Sequence, residues 1–343
     1  MGKQAKNPLI IVYHADCIDG CAAAWVVSMA QDAKTKNNIT YVPYEHFNSV
    51  PAKDKIRAAI SSGAELYFVD ITPAKHFLNE LMSSPKLKAV HILDHHKSAA
   101  KALKDYKAPV TGNNTPALEI HIDPVQSSAT KMIWEHLLPA EKPPAIIDLI
   151  ALMDGSAEGL KTPEDFAAAA FADSKDIRNI DRAFKTLRGL AGLSFNEMAK
   201  RGAPIVEDQT ARLNDLLENA PFVRLQILPD TEPVNVPIVN ANVRHFGRQI
   251  SGRLVDLGKK SGTGVAFIWF VQKTGAVTLS IRTDGTPDAC AIAAHLRHTM
   301  GITGGGHQDN AAVHFSSIFE FAKHMPVQTA KPAVKPPAPP SPS

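Results

Sequence analysis

Cysteine is scarce in this chain of 343 residues: Cys17, Cys21 and Cys290 are the only three. So odd and scattered a set excludes a disulfide framework and a zinc-knuckle spacing, and the sequence predicts a reducing, cytoplasmic setting. Cys17 and Cys21 read most simply as small residues on a helix face. Long apolar runs are missing as well. The first, Leu9 to Tyr13, stops after five residues at His14. It forms no secretory-leader core, and nothing later approaches the roughly 18 apolar residues of a membrane span. Charge of one sign is not in excess either. A formal net charge of +3 is too small to argue for bulk nucleic-acid or membrane binding. With aromatics at 6%, no aromatic-rich basic groove for a processive nuclease is evident.

What is present is ordinary globular material, 44% hydrophobic and 21% charged, in a length that favours two domains with ample core. The first half alternates short apolar runs with helical patterns. LIIVY (9–13), ITYVPY (39–44), ELYFVDI (65–71) and AVHILD (89–94) read as strands. GCAAAWVVSMA (20–30), PAKDKIRAAI (51–60) and PAKHFLNELM (73–82) read as the helices among them. The alternation predicts βαβ crossovers and an α/β fold whose N-terminal sheet is mostly parallel and flanked by helices. SSATKMIWEHLL (127–138) and AIIDLIALM (145–153) add further helices. Residues 161–222 show no clear strand and predict a helical bridge, broken near Gly202 and Pro204. From residue 223 strands return (VRLQIL, VPIVNAN, GVAFIWFVQ, VTLSIRT), with RQISGRLVDLG and CAIAAHLRHTM as helices, which predicts a second, smaller α/β domain. The expected organisation is 8–160, 161–222, 223–325 and a disordered proline-rich tail, 326–343.

The polar groups recur where strands stop. His14, Asp16 and Asp19 follow the first strand and Asp70 ends the third. Asp94, His95 and His96 end the fourth, and Asp154 follows the apolar helix LIALM. Singly, each has a plainer reading: an aspartate at a strand end is commonly a turn or N-cap residue, and a lone histidine a hydrogen-bonded one. Jointly they are costly. In a parallel sheet the carboxyl ends of neighbouring strands line one crevice, where these acids would repel unless cations neutralised them. Oxygen and imidazole donors suit Mn, Fe, Co or Mg, and a carboxylate shared between two such ions suits phosphoester hydrolysis. In the second domain, TLSIRTDG puts Arg282 and Thr283 at a strand end, and GITGGGHQDNAA sets Gly304, Gly305 and Gly306 before His307. A glycine run is usually a flexible turn. Beside a guanidinium it would also let backbone N–H groups approach a phosphate.

HADCIDGCAAAW, YFVD, HILDHHK and LMDG, in that order, followed by TLSIRTDG and TGGGHQDNAA, resemble the motifs of the DHH phosphoesterase superfamily and of its DHH-associated C-terminal domain. The resemblance runs from about residue 9 to residue 318. With nano-RNases and RecJ-like exonucleases among its members, it implies a hydrolase that cleaves phosphodiester bonds of short oligonucleotides, dinucleotides or nucleotide phosphates by metal-activated water. It implies one or two ions, Mn2+ or else Mg2+ or Co2+, held by His14, Asp16, Asp19, Asp70, His95 and Asp154, with Asp70 as the bridge. Asp94 would support the site and His96 would face the scissile phosphate. Arg282, Thr283, Gly304, Gly305, Gly306 and His307 would hold the substrate's other phosphate or terminal nucleotide, the second domain closing over the first. One position departs from the pattern. Where many members carry an acid two residues before Asp19, this chain has Cys17, and its acid stands at Asp16. A homodimer is allowed, and no membrane partner is expected. Two other functions fit parts of the pattern. One is pyrophosphate or polyphosphate hydrolysis, against which the GGGH domain argues; the other is non-catalytic nucleotide binding through a degenerate metal site, which Cys17 suggests.

Overall fold

The structure, a computed structural model, describes residues 8–31, 38–45, 49–109, 115–154, 159–175, 180–241, 250–272, 274–306 and 308–328. The chain divides into two compact units, Met1–Ile205 and Val206–Ser343.

In the first unit, strands β1 (Leu9–His14), β2 (Ile39–Tyr44), β3 (Ala64–Val69), β4 (Leu87–Asp94) and β5 (Ala117–Ile122) form a wholly parallel sheet in the order β2-β1-β3-β4-β5. Five successive residues of β1 are buried. Successive strand side chains point to opposite faces, so both faces of this strand are covered, as an uninterrupted apolar run requires. Helix α1 (Ile18–Ala30) is buried from Ile18 to Ser28, matching its lack of a polar face. Around the sheet lie α2 (Val50–Ala59), α3 (Lys75–Met82), α4 (Lys97–Leu103), α5 (Ala129–Leu137) and α6 (Ala145–Asp154). The segment expected as a helical bridge holds α7 (Pro163–Asp173), α8 (Ile180–Ala191) and α9 (Phe195–Glu218), and the boundary between the units falls inside α9.

Strand order positions the crevice. β1 connects onward to β2 on one side, and the chain then passes to β3 on the other. Such a reversal opens a cleft beyond the carboxyl ends of the two strands at the switch, here β1 and β3. The register then aligns the cleft residues. Tyr13 pairs with Val69 and Val69 with Leu93, so the residues that follow, His14, Asp70 and Asp94, share one row.

The second unit is a mixed seven-stranded sheet. It contains β6 (Phe222–Leu225), β7 (Val234–Asn240), β8 (Ala266–Val271), β9 (Val277–Arg282), β10 (Thr303–Gly306), β11 (Asn310–Phe315) and β12 (Val327–Gln328), in the order β10-β11-β9-β8-β7-β6-β12. Helices α10 (Ile250–Lys260), α11 (Ala289–Met300) and α12 (Ile318–His324) accompany it. Its core includes Val236, Ile238, Phe267, Leu279, Ile281 and Val313, none of them accessible to solvent; each such side chain contributes about 1.5–3 kcal/mol of burial.

Three expectations change here. The glycine run is a strand, not a turn: Gly304, Gly305 and Gly306 form the edge strand β10 against β11. A Cβ at Gly304 (φ +154°) would stand 2.2 Å from the carbonyl oxygen of Ala312, so only glycine permits this approach. His307 lies outside the described residues, as does the tail from residue 329. Val327 and Gln328, assigned to that tail, instead pair with β6 as β12. Finally, α9 continues unbroken through Pro204. Proline there deprives the Lys200 carbonyl of a partner, but Pro204 and Lys200 are both exposed, so water can satisfy it.

Among the described residues, no helix is long and apolar enough to cross a membrane. Gly202 lets α9 lie directly on α7, since a Cβ there would fall 1.7 Å from the carbonyl oxygen of Ala167. Gly202→Ala should therefore destabilise the chain by about 1–3 kcal/mol despite alanine's better helix propensity, measurable as a lower urea midpoint. An unchanged or raised midpoint would contradict this packing.

Candidate metal centre

His14 is the last residue of β1, and its Nδ1–H donates to Oδ2 of Asp70 at 3.3 Å. Gly20, in the first turn of α1, makes this possible: a Cβ there would sit 2.4 Å from the His14 carbonyl oxygen and 2.9 Å from its Cβ. Asp70 follows β3 in the left-handed region at φ +57°, a strained conformation for a non-glycine residue. Its N–H donates to the Leu93 carbonyl, which holds it at the sheet end. Asp70 is 1% exposed, and its Oδ1 has no hydrogen-bond partner.

The triplet that ends β4 has separate tasks. The Asp94 carboxylate is held from within the protein by four hydrogen bonds. Its Oδ1 accepts the backbone N–H groups of His95 (2.7 Å) and His96 (3.1 Å) and the Nδ1–H of His96 (2.6 Å), while Oδ2 accepts the Thr72 hydroxyl at 2.6 Å. The effect of these bonds is to fix the His96 ring. His95 is turned the other way. Its Nδ1–H donates to the Gln126 carbonyl at 3.3 Å, which leaves Nε2 facing three carboxylates: Asp154 at 3.3 Å, Asp70 at 3.4 Å and Asp19 at 3.7 Å. This Nε2 is also buried and without a hydrogen bond. A histidine anchored through one nitrogen to a carbonyl, with the other presented inward, is the arrangement of a metal ligand.

Asp19 sits in the first turn of α1 at 1% exposure. Its two oxygens accept the Ala129 and Thr130 amides, at 2.7 and 3.0 Å, where α5 begins. Asp154 ends α6 and is the most open of the acids around His95. The His96 ring lies 4.6 Å from that of His95 and 6.2 Å from that of His14, so all three imidazoles surround one space.

Three groups of donor atoms come within 4.8 Å of one another: His14–Cys17–Asp70, Asp70–His95–His96 and Asp19–His95–Asp154. Asp70 and His95 each belong to two of them. Asp16, exposed and at φ +53°, belongs to none. Cys17, read from sequence as a small helix-facing residue, does. The signal for it was present: it occupies the position where the motifs it resembles carry an acid. Thr72 and the Gln126 carbonyl, which orient Asp94 and His95, left no comparable mark.

The electrostatics show what this arrangement costs. Burial, with repulsion from Asp70 and Asp154, pushes the Asp19 carboxyl from 3.8 up to about 7. Burial works against the charged form of His95, but Asp70, Asp19 and Asp154 outweigh it and raise the imidazole from 6.5 to about 9. Burial likewise tends to raise Asp70, yet the imidazoles of His14 and His95 hold it below its ordinary value. Buried carboxylates that compete for one histidine proton, with two orphaned ligand atoms between them, fit a divalent cation.

In the second unit, Arg282 ends β9 with its Nε buried and without a partner, and burial lowers its pKa. Thr283 is buried beside it. Its N–H donates to the Asp309 carbonyl and its hydroxyl to that of Gln308, while it accepts the Gly285 amide.

No protein-family model and no curated protein match this sequence. Solved structures do match by shape. One, described as the DHH domain of a member of the s1p family of ribosomal proteins, aligns over 93% of this chain and 84% of its own at TM-score 0.50 and 14% identity. This chain has a DHH-type fold. RecJ from Thermus thermophilus, in complex with Mn2+, aligns at TM-score 0.44 and 13% identity over 90% of this chain and 49% of that one. The present chain thus spans about half of that protein's length. A structure of exonuclease RecJ bound to manganese gives TM-score 0.46 and 13% identity over 92% and 87%. At these identities the DHH likeness is one of fold.

Asp19 and His95 both bind their protons more tightly folded than unfolded, across 3.8 to about 7 and 6.5 to about 9. Their contribution to stability is complete below the unfolded values and is lost as pH rises through the folded ones. The chelated chain should therefore lose stability from these groups as pH increases, and a cation that replaces the protons should stabilise it more at about pH 9 than at 6.5. Thermal unfolding with Mn2+, kept from oxidation, against chelator at both values tests this. An equal or smaller rise in Tm at the higher pH would contradict it.

Proposed function

We propose that the chain is a metal-dependent phosphoesterase that hydrolyses phosphodiester bonds of short oligonucleotides, dinucleotides or nucleotide phosphates. The observation that carries this is the overlap of donor groups at Asp70 and His95, beyond the ends of β1 and β3 where the strand order reverses. Its support in sequence is the ordered set of motifs that includes HILDHHK and TGGGH. His14, Asp19, Asp70, His95 and Asp154 would hold the cations, with Asp70 common to both positions. Bound divalent ions would make water nucleophilic near neutral pH and offset charge gathering on the phosphoryl oxygens.

The remaining steps belong to side chains. Asp94 accepts the Nδ1–H of His96, which fixes that proton and leaves Nε2 as the site of exchange. The same hydrogen bond, against the opposing effect of burial, raises the His96 pKa, which favours the protonated ring as a donor to the leaving oxygen or a phosphoryl oxygen. In the second unit, the unpartnered Nε of Arg282 is suited to a phosphate of the substrate, since a guanidinium supplies several directed donors. Beside it, Thr283 and the glycine strand Gly304–Gly306 are proposed to complete this phosphate site.

Purified chain with Mn2+ and pApA, short RNA, bis-p-nitrophenyl phosphate or pyrophosphate tests the reading. Turnover of the phosphodiesters is expected; none with any metal would end the enzyme hypothesis, and turnover of pyrophosphate alone would replace the substrate class. Asp70→Ala and His95→Ala should reduce turnover to background while circular dichroism stays native. Arg282→Ala should raise KM about 10-fold or more, the cost of a lost charged hydrogen bond, with kcat little changed. A loss confined to kcat would contradict the phosphate-holding role.

A further inference from the structure

We propose that the Cys17 thiolate is a ligand of the cation position it forms with His14 and Asp70. This rests on the metal-dependent reading above and specifies that site's chemistry. The donor atoms of His14, Cys17 and Asp70 all lie within 4.8 Å of one another. Cys17 occupies the N-cap of α1 in an extended conformation (φ −115°, ψ 135°), yet its side chain makes no capping hydrogen bond. A second observation concerns the carboxylate that this group shares with His95 and His96. Asp70, in the same group, is 1% exposed, and its Oδ1 has no hydrogen-bond partner. A buried, unsatisfied carboxylate oxygen calls for a cation. Asp16, the neighbouring acid that could have compensated for the missing motif residue, is exposed and enters none of the ligand groups.

The consequence is a softer site. One imidazole nitrogen, one sulfur and one carboxylate oxygen favour Zn2+, Co2+ or Fe2+ over Mg2+, whereas an all-oxygen-and-imidazole set does not discriminate in this way. On binding, the S–H bond breaks and a metal–sulfur bond forms, with one proton released to solvent. No electron changes hands.

Cobalt distinguishes this proposal from the reading beneath it. The full-length chain loaded with Co2+ should show visible d–d bands together with a near-ultraviolet sulfur-to-cobalt charge-transfer band. Cys17→Asp should retain the d–d bands and lose the charge-transfer band, and Cys17→Ser should do the same, while Cys290→Ser should keep both. Competition should show Zn2+ displaced by Mg2+ more easily in Cys17→Asp than in the parent. If the d–d bands are present in the parent without the charge-transfer band, or if that band survives in Cys17→Asp, Cys17 is not a ligand. Absence of d–d bands in the parent would instead remove the metal centre itself, and this proposal with it.

Discussion

Everything at the carboxyl edge of the parallel sheet follows from the burial of Asp70. It stands next to β3 in a left-handed conformation, with one oxygen on His14 and the other 3.4 Å from His95 Nε2 without a hydrogen bond. Asp19, also 1% exposed, and Asp154 share His95 with it. Burial, Asp70 and Asp154 together raise the proton affinity of Asp19, while the imidazoles hold that of Asp70 down. The chain maintains this repulsion with fixed structure: two α5 amides on Asp19, a sheet amide bond at Asp70, and a carbonyl on the far side of His95. A fold that merely needed stability would bury apolar groups there.

The fold was largely legible because parallel strands buried on both faces leave uninterrupted apolar runs, and the row His14, Asp70, Asp94 follows directly once those runs are parallel neighbours. Elements that escaped notice have a different physical character. β5 alternates Leu118, Ile120 and Ile122 with Glu119 and His121, and lies at the sheet's edge. A half-covered edge strand shows no apolar run. Proline and glycine marked a break in α9, but tertiary packing prevailed over the local signal, because Gly202 is what the contact with α7 requires. The glycines of β10 look like a turn in sequence and are a strand through close backbone pairing that sequence does not display.

The site was legible residue type by residue type, less so atom by atom. Which oxygen is free, which imidazole nitrogen is anchored, and whether Asp16 or Cys17 reaches the cluster depend on backbone torsions and second partners. The abundance of histidine shows the same limit. His91 and His136 both pair with Glu119, and His121 stacks on His136 at 4.6 Å. Composition alone could not separate these from His14, His95 and His96. Position after a strand end could.

The central claim is that Asp70 belongs to two cation positions at once. Counting Mn2+ retained per chain after dialysis, by elemental analysis, tests it most directly. The donor groups His14–Cys17–Asp70 and Asp19–His95–Asp154, linked by the 3.4 Å approach of His95 Nε2 to Asp70 Oδ1, predict two ions in the parent and loss of both in Asp70→Ala. An Asp70→Ala chain that folds and keeps the parent's full complement would contradict the account.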